Sequence, residues 1–307
     1  MSAAIVASPR TAMRGESVSP PCNKPLSVSI DYFSFSVPGG YVSGIVSECM
    51  AFLGIDAVTD RRRGLFGYLS SIDLGGYGVV AFGGDNQRGT VLVSINGAGC
   101  SRIANFGRVR EWAESLKARI TRIDLAADDH YGKTFTVRKA IKAFREGAFN
   151  LSGRPPFSRR IDDMGSGSGD TLYIGSRAGG KLCRVYEKGK QLGDKRSRWV
   201  RAEVELHAKD RVIPWDVLND PVRFLAGTFP FFAFLSLTPE RIKTIKKATA
   251  ISIQVVERWV KTAAGKSINV LLEHFGGDIG AMVFAVRRDG VPKRLQGLWG
   301  APALQNQ

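Results

Sequence analysis

Apolar and polar positions alternate from the first ordered-looking stretch onward. "LSVSIDYFSFSV" (residues 26–37) predicts a β-strand, and "YVSGIVSECMAFLG" after it predicts an amphipathic helix ending at Gly54. A glycine-punctuated β region follows, in "LFGYLSSIDLGG", "YGVVAFGG" and "TVLVSING". "FGRVREWAESLKA" sets Val109, Trp112 and Leu116 at helical spacing and leads into "RITRIDLAADD", an alternating strand. "TVRKAIKAFREGAF" is a second helix, with Ile141 and Phe144 on its inner face and cations outside. Beyond the flexible loop "MGSGSGD" come three more strands, "TLYIGSR", "KLCRVYEKG" and "RWVRAEVELHAK".

The most apolar run, "FLAGTFPFFAFLSL", is interrupted by Gly227 and Pro230. It is too short to span a bilayer and predicts a buried connection. After Thr238 the pattern turns helical, with a Thr N-cap followed by proline, helices expected over 239–249 and 251–263, and a glycine stop. The fold class expected is α+β: an antiparallel-rich central sheet with packed helices, then a helical C-terminal region. Residues 1–25, rich in Ser, Pro and Ala without a continuous apolar core, read as a disordered leader rather than a signal peptide. The expected domains are therefore 1–25, 26–237 and a basic region over 238–307.

Charge sharpens the picture. The 307 residues carry 44 Lys plus Arg against 28 Asp plus Glu, a formal net charge of +16. The excess recurs along the chain, as "RRR" at 61–63, "SRR" at 158–160, "DKRSR" at 194–198 and "KTIKK" at 243–247. Such a distribution points to a polyanionic partner, and nucleic acid supplies the complementary charge. Cys22, Cys49, Cys100 and Cys183 lie far apart with no C-x-x-C pair, which offers no zinc site and suits the cytoplasm. No membrane partner is expected, and no heptad or symmetric signature speaks to oligomeric state.

Chemistry enters through the polar faces of three strands. Arg122, Asp124, Ala126 and Asp128 share one side of the first, and Arg201, Glu203, Glu205 and His207 one side of another. The third carries Arg184, Tyr186 and Lys188 at alternating positions, with Glu187 facing away. Each strand alone is accounted for by a half-exposed sheet face with cross-strand Arg–Glu pairs. Together they supply carboxylates, a phenol and cations, the groups needed for metal-assisted phosphoryl transfer. Carboxylate oxygens suit Mg2+ or Mn2+, and Tyr186 could attack phosphorus. An unperturbed phenol titrates near pH ~10, so ionising it at pH 7 costs roughly 4 kcal/mol, which nearby cations would offset. Having only His130, His207 and His274, with no H-x-H or H-E-x-x-H pairing, argues against a two-histidine metal site, and there is no G-x-S-x-G elbow.

The ordered set "RIDLAADD", "TLYIGSR", "LCRVYEKGKQ" and "WVRAEVELHAK", followed by "IPWDVL" and "FLAG", resembles the replication initiation factors of filamentous phages. These are related to the trans-acting initiators of rolling-circle plasmids, and the resemblance covers roughly residues 27–237. It implies a nicking enzyme that cuts one strand at a replication origin and keeps the 5′ phosphate as a phosphotyrosine. The freed 3′ hydroxyl primes rolling-circle synthesis, and the enzyme later rejoins the displaced strand. By that resemblance Tyr186 in "RVYEKG" is the nucleophile, with Tyr173 in "LYIGSR" the competitor. Asp124 and Glu203 map best to the metal acids, with Asp128 and Glu205 as second choices. Arg122, Arg177, Arg184, Lys188 and Arg201 would grip phosphates around the scissile bond. The expected partners are origin DNA and host replication factors such as a helicase. The alternative is a non-catalytic, sequence-specific DNA-binding regulator on the same fold.

Overall fold

The computed structural model describes residues 26–151, 153–209, 211–244 and 253–290. The chain divides into two compact units, Met1–Ile245 and Lys246–Gln307. The leader expected at 1–25 lies outside the described residues.

In the first unit β1 (Leu26–Pro38) leads into α1 (Val42–Leu53), which Gly54 ends in a left-handed conformation at φ 60. Then come β2 (Thr59–Asp60), β3 (Ser70–Asp73), β4 (Gly78–Phe82), β5 (Thr90–Ile95) and the short α2 (Gly97–Cys100). Helix α3 (Phe106–Ser115) starts at Asn105, whose side chain accepts from the Arg108 N–H. After β6 (Arg119–Asp129), α4 (Val137–Arg145) is capped in the same way by Thr136. Next are β7 (Ser158–Ile161), β8 (Thr171–Ser176), β9 (Lys181–Tyr186), α5 (Lys188–Gln191), β10 (Val200–His207) and α6 (Pro221–Ala226).

All strands pair antiparallel in one ten-stranded sheet, in the order β2-β3-β4-β5-β1-β6-β10-β9-β8-β7. The expected antiparallel-rich sheet with packed helices is therefore what the chain forms. Strands β6, β9 and β10 alternate. Ile123, Leu125 and Ala127 of β6 and Ala202, Val204 and Leu206 of β10 are buried on the apolar side, with Cys183 and Val185 of β9. Phe33 and Phe35 on β1 meet Trp112 of α3 and Trp215 edge-on, with ring centroids about 6 Å apart. Trp215 is thus packed against the core. The run 224–237 is buried as expected only in its first part, through Phe232: Phe231 stacks on Phe149 at 4.7 Å, Phe229 and Phe232 meet the same ring edge-on, and Phe234 and Leu237 are exposed.

Three expectations need correction. Strand β9 ends at Tyr186, so Lys188 is not on its face but opens α5, where it is buried. Residues 239–244 are not helical, because the backbone there serves α6: the Glu240 N–H donates to the Arg223 carbonyl (3.0 Å) and its carboxylate pairs with the Arg223 side chain. The remainder of 239–249 lies outside the described residues. In the second unit, the helix expected at 251–263 is α7 (Ile253–His274), which runs on past Gly265 to the glycine stop. There Gly276 and Gly277 turn at φ 59 and 84, and the Gly277 N–H bonds back to the Leu272 carbonyl. Helix α8 (Ile279–Val286) follows, capped by Asp278. Among the described residues no helix is long and apolar enough to cross a membrane.

Lys181 occupies an apolar-side position at the start of β9. Its Nζ donates to the Thr228 carbonyl (2.8 Å) and lies 3.9 Å from the Phe229 ring centroid. Burial, reinforced by the charges of Arg211 and Arg241, pushes its pKa down to about 7. Between about pH 7 and pH 10 the unfolded chain holds a proton that the folded chain has released, so this group's contribution to stability rises with pH. Lys181→Met should therefore melt above wild type near pH ~6, with the gap closing as pH approaches ~10. A gap that stays constant over that range in thermal unfolding would show that this lysine does not titrate as described.

Candidate active site on the polar face of the sheet

The face opposite the apolar core is built from β1, β6, β10, β9 and β8, and the register fixes which groups meet. One cross-strand row runs Asp128, Arg201, Tyr186, Thr171; the next runs Ala126, Glu203, Arg184, Tyr173; a third pairs Asp124 with Glu205 and Leu182. Antiparallel pairing of alternating strands is thus sufficient to gather the acids, cations and both tyrosines on one side.

Each acid is held by arginine. Arg122 chelates Asp124 (2.8 and 2.5 Å) and reaches Glu205 (2.9 Å), while its guanidinium lies 4.1 Å above the Tyr32 ring. Glu205 also takes a two-point contact from Arg177 (2.7 and 3.0 Å) and bonds His207 Nε2 (2.5 Å). These partners draw its carboxyl down to about 2 against the opposing effect of burial. Arg201 grips both oxygens of Asp128 (2.8 and 2.9 Å) and bonds Asp31 (2.6 Å). Trp199 donates its indole N–H to Asp128 (2.6 Å), so it too serves this network, with His130 against its ring. Arg184 bonds Glu203 (2.6 Å), sits over the Tyr186 ring at 4.3 Å and approaches its hydroxyl at 3.4 Å.

Tyr186 is 3% exposed. Burial raises its phenol pKa; Arg184 and Arg201 act against that rise, while Glu203 and Asp31 add to it. The cations beside the phenol therefore do not outweigh burial, and the resting side chain keeps its proton. Lys188, although displaced from the strand, still acts electrostatically on Asp31 within the same cluster. Glu187 faces away, accepting the Asp170 N–H and pairing with Lys190.

Asp31 is the member that the sequence reading missed. It is the extra residue of a β-bulge between Ile30 and Tyr32, which turns its carboxylate onto the polar face. A signal was present: apolar positions fall on even numbers through Ile30 and on odd numbers from Phe33, a phase change that an unbroken strand cannot show.

All-oxygen donors suit a hard divalent cation. Asp124 is pushed up to about 7, first by burial, with Glu203 and Glu205 adding repulsion against the pull of Arg122. Asp124 and Glu203, the acids expected to hold such an ion, stand on this face with Arg122 and Arg184 as their partners. A separate trio, Asp162, Asp163 and Asp170, brings oxygens within 4.8 Å of one another. Those acids serve their own loop: Asp163 accepts the Gly165 and Gly169 N–H groups, and Arg160 pairs with Asp162 and Asp170.

Residues 118–229, from the start of β6 through α6, match the family model described as replication initiation factor. Over that span the chain is similar to the replication initiation factors. A putative DNA relaxase, NicK of Bacillus subtilis (strain 168), is 25% identical over 294 residues, covering 86% of this chain and 74% of the relaxase. The same fold occurs in a rolling circle replication initiator protein from Geobacillus stearothermophilus, with a TM-score of 0.54 at 20% identity, covering 72% of this chain and 99% of that one. Every strand with a polar side chain in the acid–arginine network, except β1, falls within the span matched by the initiation factor family.

Proposed function

We propose that the protein is a cytoplasmic rolling-circle replication initiator that nicks and rejoins one DNA strand through Tyr186. The observation carrying this reading is a tyrosine hydroxyl beside Arg184 on the face where Asp31, Asp124, Asp128, Glu203 and Glu205 meet Arg122, Arg177, Arg184, Arg201 and Lys188. Tyr186 Oη attacks phosphorus, the P–O3′ bond breaks, and the 3′ oxygen leaves as a hydroxyl. The 5′ phosphate stays on tyrosine, conserving the bond for rejoining.

The phenolic proton passes to a carboxylate as the new bond forms, because burial disfavours a free phenolate. Glu203 and Asp31 are the acids in its field. Arg184 and Arg177 supply guanidinium N–H groups to the phosphate oxygens. A divalent cation held by Asp124 and Glu203 would polarise the phosphodiester. The second unit, with α7 and α8, is assigned to contacts with origin DNA or a host helicase.

Incubating the protein with supercoiled DNA carrying its origin, with Mg2+ or Mn2+, should give relaxed product and a protein–DNA adduct stable in denaturant. Tight origin binding with neither product would leave a non-catalytic regulator as the correct reading.

A further inference from the structure

Beyond Tyr186 the site face continues to the edge of the sheet, and its character changes. In the row through Arg184, Tyr173 of β8 is followed by Arg159 of β7, whose guanidinium lies 5.2 Å from the Tyr173 ring centroid. In the row through Tyr186, Thr171 is followed by Ile161. The register runs one step further: the Gly175 N–H bonds the Phe157 carbonyl at 2.7 Å, placing Phe157 two residues before Arg159 on the same side.

No acid interrupts these rows beyond β9, in contrast to the paired network on β6 and β10. Phe157 is 72% exposed and Ile161 45%, at an edge where an exposed phenylalanine has no folding role to fill. Arg159 is exposed as well. Aromatic faces interleaved with arginine are the pattern that binds unpaired bases by stacking and their phosphates by charge, without reading sequence. Duplex DNA keeps its bases stacked inside and offers nothing to a lone exposed ring on a flat edge.

We propose that the β7–β8 edge, with Phe157 and Tyr173 as stacking platforms and Arg159 as phosphate contact, is a track for single-stranded DNA leading to Tyr186. Two strand spacings of about 4.8 Å separate β9, which carries Tyr186, from β7, enough for about one or two nucleotides beside the scissile phosphate. The proposal rests on the nicking function for what the track delivers, but not for its binding chemistry. In that setting the track holds the melted origin strand in place, so that the phosphate reaches the nucleophile already unpaired.

The test uses the full chain and a fluorescein-labelled oligothymidylate, followed by anisotropy, beside a mixed-sequence duplex of equal length. Phe157→Ala should weaken oligothymidylate binding roughly 5- to 100-fold while leaving duplex binding unchanged. Arg159→Gln should weaken it too and lower the slope of log K against log salt by about 0.7. Both positions are exposed, so unchanged melting temperatures will show that the fold is intact. Equal oligothymidylate affinity in wild type and both variants overturns the track even if the Tyr186 adduct forms. Loss of affinity in the variants sustains it even if wild type forms no adduct, in which case only the nicking function fails. An equal loss on duplex and single strand also overturns it, since the edge would then be a general phosphate contact.

Discussion

Tyr186→Phe is expected to abolish the covalent protein–DNA adduct and to lower nicking by roughly three orders of magnitude or more, with origin affinity nearly unchanged. The substitution removes one oxygen from a ring that stays buried under Arg184, and the 4.3 Å stacking contact survives. The lost partner is weak, since the hydroxyl lies 3.4 Å from Arg184, so thermal stability should change little. Tyr173→Phe in parallel should retain the adduct, because its ring and not its hydroxyl is used. The adduct is scored by denaturing gel with end-labelled origin DNA. Its survival in Tyr186→Phe and disappearance in Tyr173→Phe would transfer the nucleophile to Tyr173 and leave the reaction type standing.

The second large effect is on stability. Arg201 bonds Asp128 at two points and Asp31 at a third, and its side chain is 14% exposed. Arg201→Met strands the buried Asp128 carboxylate, with Trp199 as its remaining donor, and the half-buried Asp31 beside it. Removing one partner of a buried pair costs about 3–5 kcal/mol, most of it the penalty of the stranded charges. For a unit of this size that is a fall in melting temperature of about 6–20 °C. Adding Asp128→Asn should recover part of it by removing one stranded charge, which a general packing defect would not allow. Loss below about 1 kcal/mol would mean that water reaches the acids freely and the network is superficial.

The strands bearing the site were legible because period-two alternation is the strongest short-range signal a chain carries. Residues 119–129 and 200–207 form the strands that their patterns describe, and their polar sides meet by register. Three features were not legible, for separate reasons. Lys188 looked like a strand residue because alternation continues past Tyr186, yet the chain turns there into a helix of four residues. Strand β7 has no alternating apolar residue to announce it, since an edge strand is held by backbone bonds to β8. Side-chain partners cross-linking distant elements, such as Arg201 with Asp31, depend on tertiary proximity. Only the phase change around Asp31 hinted at one of them.

The place of β1 between β5 and β6 has a consequence for synthesis. It is the first described strand to leave the ribosome, yet Leu26 pairs with Asp129 and Phe33 with Ile95, so neither flank can close until much more chain has emerged. Pairings so distant in sequence make for slow folding. Residues 118–229 expressed alone would also present β6 as a bare, apolar edge ready to pair with a neighbouring copy. A fragment cut to the span shared with the initiation factors is therefore expected to aggregate, whereas one that begins ahead of Leu26 supplies the strand that caps it.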